Sequence, residues 1–303
     1  MKADKRRNPG PAGGYHLLVF FRRVLPRFFF DALVAIGAFI AMVFMRRQRR
    51  ASREYLKLVL ARPPTIRDVW RHFDTFARTL LFRLEVGESK NPRLCLPQWE
   101  GEAFMQLVRS GRQMLYGSFH IGCSDLLGYA LSDGFCKVYM VRLKVGNSHD
   151  TEHFEKTYNG INILWMNNPQ DVLLGIHKAI GEGASIAMLC DRAEFSSKFE
   201  SFNFLGRRVN FPFTIYHLSA IYRMPVSFCF CVYTGGEVQT YAPEAFFPEG
   251  SKREVLEAGR RHFQQILGRV ETLLADHPYH WFNFDAVPTV PEPVAVSGGA
   301  SAK

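Results

Sequence analysis

From Glu102 to Cys190 the chain alternates between helical patterns and short apolar runs, and this alternation restricts the possible folds more than any other feature. It reads as helix 102–110, strand 112–117, helix 122–131, strand 136–142, helix 149–157, strand 161–166, helix 169–181 and strand 185–190. Strands that alternate with helices make βαβ units, and such units close into a mostly parallel sheet flanked by helices on both faces. An α/β class follows. Ligands of such sheets sit beyond the carboxyl ends of the strands. His120 and Asp191 fall there, each following an apolar strand.

The flanking segments complete one domain. Upstream, Thr65 with Asp68 makes a capping box that opens a helix running to about Val86, followed by a loop through "VGESKNPRLCLPQWEG". Downstream, a hairpin is expected around Gly206, then a short helix at 214–222, strands in "PVSFCFCVY" and "EVQTYA", and an amphipathic helix from Ser251 to Asp276. With 303 residues, 47% of them hydrophobic, the chain suits one large α/β domain with an appendage. The expected division is a basic head with a membrane-associated helix at 1–50, a folded domain at 51–285, and a disordered Pro-, Gly- and Ala-rich tail at 286–303.

The appendage is the apolar run "FFFDALVAIGAFIAMVFM" at 28–45, preceded by "RRVLPR" and followed by "RRQRR". It is near the lower length limit for crossing a bilayer and contains Asp31, so a span is open but not required. Cations on both flanks suit a helix on the cytoplasmic face, its apolar side in lipid and its arginines on headgroups. A buried helix of a soluble domain is the competing reading. The net charge of +10 calls for an anionic partner, which composition alone leaves open between nucleic acid, a membrane surface and an acidic carrier protein. The six cysteines form no CxxC pair, several lie in strand-like runs, and no metal site is expected. The two histidines of "HDTEH" at 149–153 lack an apparent third ligand and suit a polar helix face better than zinc. Cys229 and Cys231 alternate along a strand, so they share one face, expected in the core.

The stretch "LYGSFHIGCSDLLGYAL" at 115–131 concentrates the chemistry. At the first turn of a helix, His120 feels the positive end of the dipole, which disfavours the imidazolium and keeps a base available. Asp125, one turn on, could accept from the other ring nitrogen and hold the tautomer. A surface histidine is the plain alternative. No serine stands in a GxSxG setting, so a base at His120 would activate a hydroxyl that arrives with a substrate.

"HIGCSD" resembles the His-x4-Asp/Glu (HxxxxD) motif of the lysophospholipid acyltransferase superfamily, and more closely the late acyltransferases of lipid A biosynthesis, the lauroyl/myristoyl acyltransferase-like family. The likeness continues through "MLCDR" at 188–192, "FNFLGRRVNFP" at 202–212, "MPV" at 224–226 and "PYHWFNF" at 278–284. It covers roughly 15–285, the N-terminal apolar helix included. Two positions depart from the pattern. Asp125 stands where those enzymes often have Glu, and Thr214 and Ile215 follow the Phe-Pro step where a Gly-Pro pair is common.

The resemblance implies a glycerol-3-phosphate acyltransferase-like fold and a membrane-associated O-acyltransferase at the cytoplasmic face of a bacterial inner membrane. His120 would be the base and Asp125 its partner. Acyl carrier protein or acyl-CoA would be the donor and a membrane lipid the acceptor, with no cofactor and no nucleic acid. The acceptor could equally be an aryl polyene lipid, an ornithine lipid or a lysophospholipid. A catalytically idle membrane adaptor that holds lipid or carrier protein is the reading from another class. Backbone N–H groups at Gly122 and Cys123 are the expected oxyanion donors. Arg192, Arg142 and Arg208 are the expected headgroup contacts, each with a solvated surface residue as its alternative. Asp191 could be a second catalytic carboxylate, though an acid ending a strand can simply cap a turn, which favours a structural or substrate-orienting role; Trp281 and Phe282 would be core or membrane-interface aromatics.

Overall fold

A computed structural model describes residues 21–22, 24–88, 94–95, 98–124, 137–143, 161–166, 169–192, 198–235 and 237–284. The helices expected at 122–131 and 149–157, the "HDTEH" pair, Asp125 and the C-terminal tail lie wholly or largely outside those residues. Helices α1 (Arg27–Phe44), α2 (Arg46–Val59) and α3 (Ile66–Glu88) come first, then β1 (Leu94–Cys95) and α4 (Gln98–Arg109). Strands β2 (Leu115–Ser118), β3 (Val138–Leu143) and β4 (Ile161–Met166) lead to α5 (Pro169–Gly181) and β5 (Ser185–Leu189). The hairpin β6 (Phe199–Phe204) and β7 (Arg207–Pro212), helix α6 (Thr214–Tyr222), strands β8 (Val226–Phe228), β9 (Phe230–Thr234) and β10 (Glu237–Tyr241), and helix α7 (Lys252–Asp276) follow.

The central sheet has the order β4-β3-β5-β2-β8 and every pairing in it is parallel. The α/β class is therefore as the alternation predicts. Where "PVSFCFCVY" reads as one strand, the structure divides it at Cys229. The Ser118 hydroxyl donates to the Cys229 carbonyl at 2.6 Å, and the Cys229 N–H reaches the Gly117 carbonyl at 3.1 Å. Beyond that point β9 leaves the parallel sheet and pairs antiparallel with β10, which pairs in turn with β1. Cys229 and Cys231 are both buried, in one apolar cluster with Cys123.

The N-terminal run folds as α1, with a buried face of Phe30, Val34, Ala38 and Met42 at four-residue spacing. Its other faces expose Phe28, Phe29, Ile36, Phe39, Ile40, Val43 and Phe44. By length and composition α1 could cross a membrane. Asp31, the one acid of that run, forms an ion pair with Arg78 of α3 at 3.1 Å. "RRQRR" is more than a basic flank: the chain turns at Met45 and the arginines open the separate helix α2, which buries Ser52, Tyr55 and Leu56. Helix α3 begins as its capping box requires, with Thr65 N–H donating to Asp68 Oδ2 at 2.8 Å and Asp68 N–H donating to Thr65 Oγ1 at 3.2 Å.

The core on one side of β2 is aromatic. Phe119 is fully buried and lies 5.8 Å from Phe211 in a stacked arrangement, with Phe228, Phe230 and Phe263 edge-on around it. The residue before His120 is thus locked into the domain centre. The hairpin that carries Phe211 turns at Leu205 and Gly206, both at positive φ.

Candidate active site

The register of the sheet builds the site. Strands β2 and β5 pair in parallel with Ser118 opposite Leu189, so continuing two residues past each strand brings His120 beside Asp191. The Cys190 N–H donates to the Ser118 carbonyl at 2.8 Å and extends this pairing past the strand ends. His120 Nδ1 lies 2.7 Å from Asp191 Oδ1, and the His120 backbone N–H donates to Asp191 Oδ2 at 3.0 Å. The carboxylate is fully buried, whereas the imidazole is about one-fifth exposed.

The closing segment "HWFN" straps both residues in place. Trp281 Nε1–H donates to Asp191 Oδ2 at 2.9 Å, and Asn283 Nδ2 donates to the Asp191 carbonyl at 2.9 Å. The Phe282 N–H donates to the His120 carbonyl, and the Gly122 N–H to the His280 carbonyl, each at 2.7 Å. Trp281 and Phe282 are 1% and 5% exposed and belong to the core. Behind the strap, His72 of α3 spans from Ser52 Oγ to the Trp281 carbonyl, 2.9 Å at each end. This ties α2 and α3 to the strap.

Burial pushes the His120 pKa below its ordinary value, with Asp191 opposing and the charges of Arg192 and Arg83 reinforcing the fall. For Asp191, burial alone would raise the carboxyl, but His120, Arg192 and Trp281 together hold it below its ordinary value. The pair at neutral pH is therefore a neutral imidazole whose Nδ1–H donates to a carboxylate. Among the described residues Nε2 has no hydrogen-bond partner. A lone pair on a fixed tautomer is what a general base requires.

Among the described residues, the hydroxyls that flank His120 in sequence are otherwise engaged. Ser118 Oγ donates to the Cys229 carbonyl, and Ser124 Oγ to the carbonyls of Phe119 and Ile121. Burial raises the thiols of Cys123 and Cys190, so neither supplies a thiolate near neutral pH.

The oxyanion expectation at Gly122 and Cys123 does not hold. Both N–H groups already donate to backbone carbonyls, Gly122 to His280 at 2.7 Å and Cys123 to Cys231 at 2.8 Å. Gly122 has a different function there. It has φ +50°, and a Cβ at that position would lie 2.3 Å from the Cys231 carbonyl oxygen. Only glycine lets the loop after His120 lie against β9.

Of the expected headgroup arginines, Arg192 is at the site, donating from Nε to Asn283 Oδ1 at 3.3 Å and from Nη2 to the Phe282 carbonyl at 3.1 Å. Arg142 stands near the carboxyl end of β3, opposite Trp165 of β4 and on the same edge of the sheet. Arg208 is exposed on β7, bonded to its cross-strand partner Asn203, and no described contact links it to His120 or Asp191. Arg83, on α3, is the residue the sequence reading missed. It continues the line His72, Phe76, Thr79, Arg83 along the face of α3 on which His72 and Thr79 are buried and Phe76 meets Phe282 and Phe284. An arginine on an otherwise buried helix face was the available signal.

No protein-family model matches the chain, and a search of curated proteins finds no similar one.

Proposed function

We propose that the protein is a membrane-associated O-acyltransferase of the lipid A late-acyltransferase type, moving a fatty acyl group from an acyl thioester to a hydroxyl of a lipid acceptor. One observation carries this reading: among the described residues His120, with Nδ1 fixed on the buried carboxylate of Asp191 and Nε2 without a hydrogen-bond partner, stands at the end of a parallel strand where Ser118 and Ser124 donate to carbonyls and burial holds Cys123 and Cys190 as thiols. A base with no free nucleophile beside it among the described residues suits a hydroxyl that is brought to it with the substrate. Nε2 takes the acceptor hydroxyl proton as the oxygen attacks the thioester carbonyl. The tetrahedral intermediate collapses, the C–S bond breaks, and the imidazolium returns its proton to the departing thiolate. Asp191 holds the ring and stabilises the imidazolium, a role the sequence reading had given to Asp125. The positive charge of Arg83 and Arg192 near His120 supports the developing oxyanion, in place of the engaged N–H groups at Gly122 and Cys123.

The donor is acyl carrier protein or acyl-CoA, and the acceptor is a lipid at the cytoplasmic face of a bacterial inner membrane, reached through the exposed apolar faces of α1. The test is mass spectrometry of products from the detergent-solubilised protein given acyl carrier protein with mixed acyl chains and a total bacterial lipid extract. A lipid heavier by one acyl chain, absent with His120→Ala, is expected and identifies the acceptor. Undiminished product from that variant overturns the reading.

A further inference from the structure

The N-terminal end of α1 carries basic residues beside a cavity. A cavity of about 380 Å³ opens between the start of that helix and α3, within the range of about 300–1,000 Å³ typical of small-molecule sites. Its lining holds three arginines, Arg22, Arg27 and Arg78, against one carboxylate, Asp31. Arg78 is held in position by two acids, Asp74 at 2.8 Å and Asp31 at 3.1 Å. The inner wall is aromatic, with Phe82 of α3 stacked on Tyr233 of β9 at 3.7 Å. A cationic rim over an apolar wall suits an anion that carries apolar bulk.

The surroundings identify what kind of anion. Phe28 and Phe29, which follow Arg27 in sequence, are 77% and 60% exposed, and the apolar exposure continues along α1 to Phe44. Such a helix places its basic end at headgroup depth. Guanidinium groups match the oxygens of a phosphate in bidentate fashion. We infer that this cavity binds the phosphate headgroup of a membrane lipid, taken from the bilayer that α1 contacts. The site goes beyond the acyl-transfer reading and does not depend on turnover, so it is tested by binding alone.

The test titrates detergent-solubilised full-length protein with dihexanoyl phosphatidic acid, and separately with inorganic phosphate. Saturable lipid binding is expected. Arg22 and Arg27 are exposed, so the R22Q/R27Q double variant should keep the fold and weaken binding roughly thirtyfold, the attraction of two basic residues near a charged lipid taken together. The R46Q/R53Q double variant on α2 removes the same charge outside the cavity and should change binding less than about twofold. Asp31→Asn removes the one carboxylate of the lining and should tighten binding by roughly threefold or more. Equal losses in the two double variants would mean general surface attraction and overturn the site. Inorganic phosphate binding as tightly as the lipid would overturn the lipid as its source, and absent lipid binding would overturn both.

Discussion

The Asp191 carboxylate meets His120 Nδ1 at 2.7 Å through one oxygen, while its other oxygen takes the Trp281 indole N–H at 2.9 Å and the His120 backbone N–H at 3.0 Å. One buried acid thus fixes the position of the strand end, the orientation of the ring and the placement of the closing strap.

Asp191→Asn should therefore affect chemistry more than substrate binding. An amide can fill the space but carries no charge to stabilise an imidazolium, so kcat should fall by roughly 10²- to 10⁴-fold with KM little changed. Because Asp191 raises the His120 pKa against burial, residual activity should extend to lower pH than in the wild type. Single-turnover rates across a pH series check both points. A variant with wild-type kcat would remove Asp191 from the machinery.

Gly122→Ala should be costly although the substitution adds only a methyl group. The new Cβ would lie 2.3 Å from the Cys231 carbonyl oxygen on a backbone at φ +50°. The strained conformation alone costs of order 1–3 kcal/mol, and the clash moves the loop that holds His120. A fall in Tm together with a loss of activity greater than tenfold is expected. Thermal melts and turnover on the same preparation measure it.

What was legible in the sequence was local. Helices 169–181 and 214–222 match the observed spans, because periodicity and punctuation lie within the segment itself. The Thr65–Asp68 box and the hairpin at Gly206 are legible for the same reason. The partner of His120 was not. Asp125, the acid nearby in sequence, lies outside the described residues; the sequence places Asp191 beyond a strand end as it does His120, but the bond between them, across 71 residues, depends on the parallel register of β2 and β5, which no single segment encodes. The division at Cys229 likewise depends on the Ser118 hydroxyl, a partner 111 residues distant.

Acid should loosen the strap before it protonates the carboxylates. Burial pushes His72 and His280 down to about 4 from an ordinary 6.5. An unfolded chain therefore takes up two protons between pH 6.5 and 4 that the folded chain refuses, so stability is full above 6.5 and falls as pH drops through that window. Each histidine should cost on the order of 2 kcal/mol by pH 4.5. His72→Gln should lower Tm at pH 7.5, where the bonds to Ser52 and Trp281 are intact, and should flatten its dependence on pH between 6.5 and 4.5. A Tm equally steep in pH with and without His72 would count against this account.

Arg83→Gln tests the electrostatics of the site from the opposite side. Its charge lowers the His120 pKa, so removing it should raise that pKa and move the acid limb of the pH profile upward, opposite to the shift expected for Asp191→Asn. If Arg83 also stabilises the oxyanion, kcat on the pH plateau should fall by about 10²-fold as well, the usual loss when one such donor is removed. The two effects separate in one experiment, because the limb reports the free base and the plateau reports the transition state. A limb that moves upward with an unchanged plateau would leave Arg83 as a tuner of His120, with oxyanion support left to Arg192. An unmoved limb would show that the guanidinium does not bear on the imidazole in solution.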